Sequence, residues 1–166
     1  MQVILRPYQI EDCRSILEIV NYNINYTTNI YEFSSRTLEE QIQQFEDKLK
    51  KRFPVIVAEL NKEVVGFGYY SEFRTRPAYQ FTVEHSVYVS NEYHNKGIGK
   101  IILTELIQLA KKQNKNTMIA VIDSENQNSI SFHQKAGFKT VGIIEQSGYK
   151  FDRWLNSVIM QLLLNL

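Results

Sequence analysis

The stretch "VYVSNEYHNKGIGKIILTELIQLAKK", Val87 to Lys112, limits the possible folds more than any other part of the chain. It opens on residues that alternate as a half-buried strand does. It closes on Ile102, Leu106, Leu109 and Ala110, which share one face of a helix. Between them a polar loop carries Gly97 and Gly99 where the helix should begin. The first amides of a helix lack intrahelical partners and point outward, with the positive end of the helix dipole behind them. A phosphate is a natural ligand there. Gly97 and Gly99 let backbone approach it, and Lys96 and Lys100 add local positive charge. Taken alone, the glycines fit an ordinary strand-to-helix turn equally well. Two phosphate loops are excluded. A P-loop needs Gly and then Ser or Thr where His94 and Ile101 stand, and the dinucleotide fingerprint needs a third Gly where Ile102 stands.

The rest of the chain alternates the same two patterns. Val3 to Leu5 reads as a strand. Cys13, Ile16, Leu17, Val20 and Ile24 recur at helical spacing. Thr37-Leu38-Glu39-Glu40 is a capping box, and Ile42, Phe45 and Leu49 follow it on one helical face. An aromatic segment without a period, Tyr22 to Phe33, separates the two helices. "VIVAEL" after Pro54 and "VVGFGYY" after Asn61-Lys62 form a hairpin, and "FRTRPAY" is a loop. Phe81 to Val89 and "TMIAVI" are strands, Ser129 to Lys135 a short helix, and "KTVGIIEQ" and "SVIMQLLL" two last strands. This pattern is a mixed α/β sheet in one domain spanning 1–166.

Charge excludes two classes of partner. Lys plus Arg is 19 against 18 for Asp plus Glu, a net charge of +1, so neither bulk nucleic-acid nor membrane-surface binding is expected. Any anion site must therefore be local. Cys13 is the only cysteine, which rules out an intrachain disulfide and a cysteine zinc site; no metal is expected, and a reducing cytoplasm fits. "MQVILRP" lacks the order of a signal peptide, and "SVIMQLLLNL" is too short to span a bilayer.

"HNKGIGK" followed downstream by "ENQNSISFHQKAGF" resembles the GNAT family of acetyl-CoA-dependent N-acetyltransferases. The family pattern, Arg/Gln-x-x-Gly-x-Gly/Ala after a strand, here reads His94-Asn95-Lys96-Gly97-Ile98-Gly99 and departs only at its first position. "TTNIYEFSSRTLEE", "RTRPAYQFTVEHSVYV", "SFHQKAGF" and "GYKFDRW" look like the phosphinothricin or methionine sulfoximine acetyltransferase branch, where histidine at the His133 position is usual.

The resemblance implies an α/β, GNAT-type fold: a mixed, mostly antiparallel central sheet flanked by helices, with a central strand pair splayed by a bulge. It implies acetyl-CoA as co-substrate, its pyrophosphate on the amides of Asn95, Lys96, Gly97, Ile98, Gly99 and Lys100. The pantetheine arm would pair with Val87, Tyr88 and Val89, with Asn126 beside it. Glu84 is the expected general base, taking the amine's proton directly or through one water. Adjacent strand residues point to opposite faces, so His85 is read as structural. His133 is expected to protonate the departing thiolate or orient the amine, and His94 to face solvent. On the substrate side Arg74, Arg76 and Tyr79 suit a carboxylate or phosphinate. Tyr31 and Phe33 would wall an apolar side, and Lys150 add a cation, across the interface of an expected homodimer. The expected substrate is a small amino-acid-like amine. The competing readings are another small amine, a protein amino terminus, or a non-catalytic acetyl-CoA-binding module.

Overall fold

The computed structural model describes residues 2–165. Seven strands form one sheet: β1 (Ile4–Pro7), β2 (Val55–Leu60), β3 (Glu63–Glu72), β4 (Thr82–Val89), β5 (Thr117–Asp123), β6 (Lys139–Lys150) and β7 (Arg153–Leu163). Their spatial order is β1-β2-β3-β4-β5-β7-β6. The neighbouring pairs are antiparallel except β4 with β5, which run parallel. The expected mixed, mostly antiparallel sheet is thus observed.

Helices cover both faces. α1 (Cys13–Tyr26) and α2 (Leu38–Lys50) lie on one side, where Ile16, Val20, Ile24 and Phe45 pack with Val57 and Phe67. α3 (Ile98–Lys112) and α4 (Gln127–Lys135) belong to the other. There Ile102, Leu103 and Leu106 meet Val83, Met118 and Met160. α3 sits close to the sheet because β3 carries Gly68: a Cβ there would lie 2.5 Å from Ile102. The capping box before α2 is formed as read, with Thr37 Oγ1 accepting from the Glu40 amide and the Thr37 amide donating to Glu40. Leu49, placed by spacing on the buried face of α2, is instead 44% exposed.

Two readings are corrected. β6 and β7 run longer than "KTVGIIEQ" and "SVIMQLLL" suggested, meeting at a turn whose residues Phe151 and Asp152 both have positive φ. Polar residues between 145 and 156 masked the strands. The second correction concerns the bulge. The β3–β4 register is unbroken from Glu72↔Val83 to Gly66↔Val89, so β4 has no bulge there. The splay arises on its other edge. β4 pairs with β5 only at Thr82, Val83 and Glu84; beyond Glu84 the two strands part.

Candidate active site

The parting of β4 and β5 leaves the polar backbone edge of His85 to Val89 without a strand partner. A cleft of about 470 Å³ fills that space. Val87, Tyr88 and Val89 line it on one side, Ala120 to Asp123 on the other, and Asn95 and Gly97 to Lys100 at one end. The splay is therefore a slot through the sheet. Glu84, the last β4 residue paired with β5, marks in the backbone the apex where the strands part, while the residues that line the cleft begin at His85.

The glycine junction forms the slot's open end. Gly97 is the N-cap of α3, with φ +80° and no side-chain cap. Asn95 also has positive φ, at 61°. Backbone reversals of this kind are where successive amides form a concavity suited to an anion. The Ile101 amide bonds to the Gly97 carbonyl at 3.2 Å, and the amides of Ile98, Gly99 and Lys100 before it have no intrahelical acceptor. Gly97 borders the slot, and a Cβ there would meet nothing within 4 Å. His94, read as solvent-facing, is exposed but closes the loop, its Nε2 2.9 Å from the Val89 carbonyl. Lys96 sits over the Tyr93 ring.

Asn126 also lines the slot and joins two elements. Its Oδ1 accepts from the Ser129 amide at 3.0 Å, capping α4. Its Nδ2 donates to Asn29 Oδ1 at 2.8 Å, and Asn29 Nδ2 donates in turn to Asn23 Oδ1 at 2.8 Å. This run of amides ties the segment after α1 to the slot's wall.

At the apex, strand alternation sends Glu84 to the α1/α2 face and His85 to the α3/α4 face, as expected. His85, read as structural, nevertheless borders the cleft. Because the slot passes through the sheet, residues of both faces border it, and His85 lines it beside His133. Glu84 is half-buried, and burial alone holds its carboxyl above the usual carboxylate range. A strand-end ion pair, the ordinary use for such a Glu, is not formed among the described residues. Across β3, Ser71 and Tyr69 stand opposite Glu84 and Ser86 and share their face with Tyr88. Arg36 lies near Tyr69 and Tyr88, its guanidinium held by Glu32, Gln41 and Gln44. Tyr69 and Arg36 were missed because residues from three separate segments meet there, which no local spacing reports.

Other expected substrate residues lie elsewhere. Arg74, Arg76 and Tyr79 occupy the exposed β3–β4 loop, outside the slot. Arg74 stacks on Phe73 and Tyr79 at 5.2 and 6.0 Å. The Phe73 amide bonds to the Thr82 carbonyl at 3.3 Å, which holds the loop two residues from Glu84. Phe33 is 81% exposed, and Tyr31 packs on Gly148. Lys150 is a correction. It is buried, and its Nζ donates to the Thr27 and Ile30 carbonyls at 2.7 and 2.6 Å. Its ammonium braces the segment after α1 through these two backbone carbonyls. Among the described residues no cluster of three or more His, Cys, Asp or Glu could hold a metal, and no helix is long and apolar enough to cross a membrane.

A second groove of about 730 Å³ shares Asn23, Val89 and Tyr93 with the slot. Though larger, it is lined by Glu11, Asp12, Glu18, Glu63 and Glu92, which suits a phosphate poorly.

The splayed parallel pair, with an uncapped, glycine-opened helix at its mouth, offers a slot for an extended anionic ligand. The profile of the acetyltransferase (GNAT) family matches residues 18–138, and the chain belongs to that family. It is 38% identical over 154 residues to the L-amino acid N-acyltransferase MnaT of Escherichia coli K12, covering 93% of this chain and 90% of that protein. It is 35% identical over 154 residues to an L-methionine sulfoximine/L-methionine sulfone acetyltransferase of Salmonella typhimurium, with the same coverages, 93% and 90%. Among solved structures it matches a GNAT superfamily phosphinothricin acetyltransferase from Sinorhizobium meliloti in complex with acetyl-CoA. The TM-score is 0.94 at 35% identity, covering 98% and 89% of the two chains.

The glycines separate phosphate binding from folding. Gly97→Val adds backbone strain at positive φ. Gly99→Val is the cleaner variant, because a Cβ there meets Phe132 and Val89 at an ordinary 3.7 Å. We expect Gly99→Val to keep the fold and narrow the slot, weakening acetyl-CoA on the order of tenfold by calorimetry, about 1.4 kcal/mol. Unchanged affinity would remove this junction from the binding site.

Proposed function

We propose that the chain is an acetyl-CoA-dependent N-acetyltransferase whose acceptor is the amino group of a small amino acid of the phosphinothricin or methionine sulfoximine kind. The observation that carries this reading is the slot itself, with unpaired amides at its mouth and an unpaired, half-buried carboxylate at its apex. The residues fit the co-substrate. The Ile98, Gly99 and Lys100 amides and the Lys100 side chain suit a pyrophosphate. The free edge of β4 suits an extended amide-bearing arm, which would bind as an added strand.

Acetyl-CoA supplies an activated acyl group as a thioester. Transfer is direct: the amine's N–C bond forms as the thioester's C–S bond breaks, and sulfur leaves with the bonding pair. Glu84 takes the proton the amine must lose, directly or through a water. Its raised pKa brings it nearer the operating pH, which favours a general base. His133 is a wall of the slot rather than a proton store. Burial pushes its pKa down, and its Nδ1 lies 2.7 Å from the Ser129 carbonyl. A neutral imidazole held this way is a poor acid toward a thiolate.

Arg74 and Arg76 make no ion pair among the described residues, and they stand on the loop that leads into β4. They and Tyr79 remain our choice for the substrate's carboxylate and second oxyanion. The sheet edge at β6 exposes Val141, Ile143 and Ile144, with Trp154 nearby at 60%. An apolar edge of this kind supports a homodimer as the working unit. The net charge of +1 and the single buried cysteine support a cytoplasmic enzyme of small molecules.

The test is a panel of amines with acetyl-CoA and a thiol-release readout. Methionine sulfoximine or phosphinothricin should outperform amines without a carboxylate by about tenfold or more in kcat/KM, the worth of one charge-assisted hydrogen bond. Preference for a polyamine or a peptide amino terminus would defeat the substrate assignment, and absence of thiol release with every amine would defeat the enzymatic one.

A further inference from the structure

His85 on β4 and His133 on α4 meet at the slot's inner wall, Nε2 to Nε2 at 3.2 Å. Their rings lie 5.1 Å apart, and Phe138 packs against both. Both are buried, with 6% exposure each. Proton positions follow from what each neighbour can do. A carbonyl only accepts, so His133 Nδ1 carries a hydrogen and donates it to the Ser129 carbonyl at 2.7 Å. Neutral His133 therefore has a bare Nε2. His85 must then donate its own Nε2–H to that atom, which leaves His85 Nδ1 bare, and His85 Nδ1 is indeed buried without a partner. The two rings have one consistent proton order.

We propose that His85 is a positioning residue: its Nε2–H fixes the ring and tautomer of His133 and so clasps β4 to α4 at the inner wall of the slot that takes the acyl-carrying arm. The proposal rests on the assignment of the slot to acetyl-CoA. Among the described residues no charged side chain faces the pair. Ser129 and Phe132 approach from α4 and Phe138 from the segment after it; Tyr70, opposite His85 on β3, is the other titratable group. A proton added to His133 would go to Nε2 and set two N–H groups against each other, whereas one added to His85 would go to the buried Nδ1, which has no acceptor. Burial, and after it the neighbouring His133, pushes His85 down to about 3, and burial holds His133 below its usual value. While the clasp holds, His133 Nε2 is occupied as an acceptor.

The test compares His85→Gln, whose amide nitrogen replaces the Nε2 donor, with His85→Leu, which has none. Long-range ¹⁵N–¹H spectra of the unmodified protein should show His133 as the neutral Nδ1–H tautomer from pH 8 to 5. His85→Gln should keep that signature and acetyl-CoA kcat/KM within about threefold. His85→Leu should lose the signature, raise the His133 pKa and lower acetyl-CoA kcat/KM about tenfold, the scale of one lost ring-orienting hydrogen bond. A His133 Nε2–H tautomer in the unmodified protein would overturn the clasp, as would equal kcat/KM and pH profiles for the Gln and Leu variants. If His85→Leu does not fold, the tautomer and the Gln variant decide. Failure of the unmodified protein to bind acetyl-CoA would instead strike at the slot's assignment, which the tautomer measurement does not share.

Discussion

Glu84→Gln should lower kcat by about 10²–10⁴-fold at neutral pH while acetyl-CoA affinity stays unchanged, because shape is kept and basicity is lost. The pH dependence sharpens the test. Burial raises the Glu84 pKa, so the base form disappears at a higher pH than for an ordinary carboxylate. The acid limb of kcat/KM in the unmodified protein should be displaced upward accordingly. In Glu84→Gln that limb should vanish, leaving the limb set by the substrate amine. The deficit should shrink as pH rises and more amine arrives neutral. Stability should move the opposite way. A carboxyl whose pKa is raised on folding destabilises the fold at pH above that pKa, and the penalty fades as acid protonates both states. Glu84→Gln should therefore melt slightly higher than the unmodified protein at pH 7, with the gain disappearing in acid. Unaltered kcat at neutral pH would return Glu84 to a merely structural place.

Lys150→Met should cost about 2–3 kcal/mol of stability, since the part-buried carbonyl of Thr27 and the buried carbonyl of Ile30 lose their donor. For a chain of this size that is a fall of roughly 5–10 °C in Tm. The segment after α1 should loosen with it, and because Asn29 ties that segment to Asn126, acetyl-CoA binding should weaken as well. A substrate-gripping Lys150 would behave differently: amine KM would rise with Tm intact. Thermal melts and the two KM values separate the cases.

Much of this arrangement was readable from local pattern. The capping box at Thr37, the apolar runs of the β2–β3 hairpin, and the glycine junction each depend on neighbours within one turn or one hairpin. Alternation also put Glu84 and His85 on opposite faces. What it could not report was that the sheet opens between them, because a gap between strands is set by β5, more than thirty residues away. Lys150 shows the same limit. A lysine in an aromatic-rich stretch reads as a surface cation, and only the return of the α1–α2 segment over the β6–β7 hairpin supplies the carbonyls that bury it. Arg74 and Arg76 were legible as cations, but the single-chain structure leaves them on an open loop.

The seam between β4 and β5 has a mechanical meaning. Seven residue pairs join β3 to β4 and seven join β5 to β7, but only three join the two halves of the sheet. The sheet is thus two stiff plates sharing a short hinge at Thr82–Glu84, with the apex carboxylate on the hinge line. An extended molecule laid along the free edge of β4 would complete the missing rungs and brace the plates against each other. The acyl donor would then be a reagent and also a removable eighth strand, and the protein would be most rigid at the moment its chemistry is due.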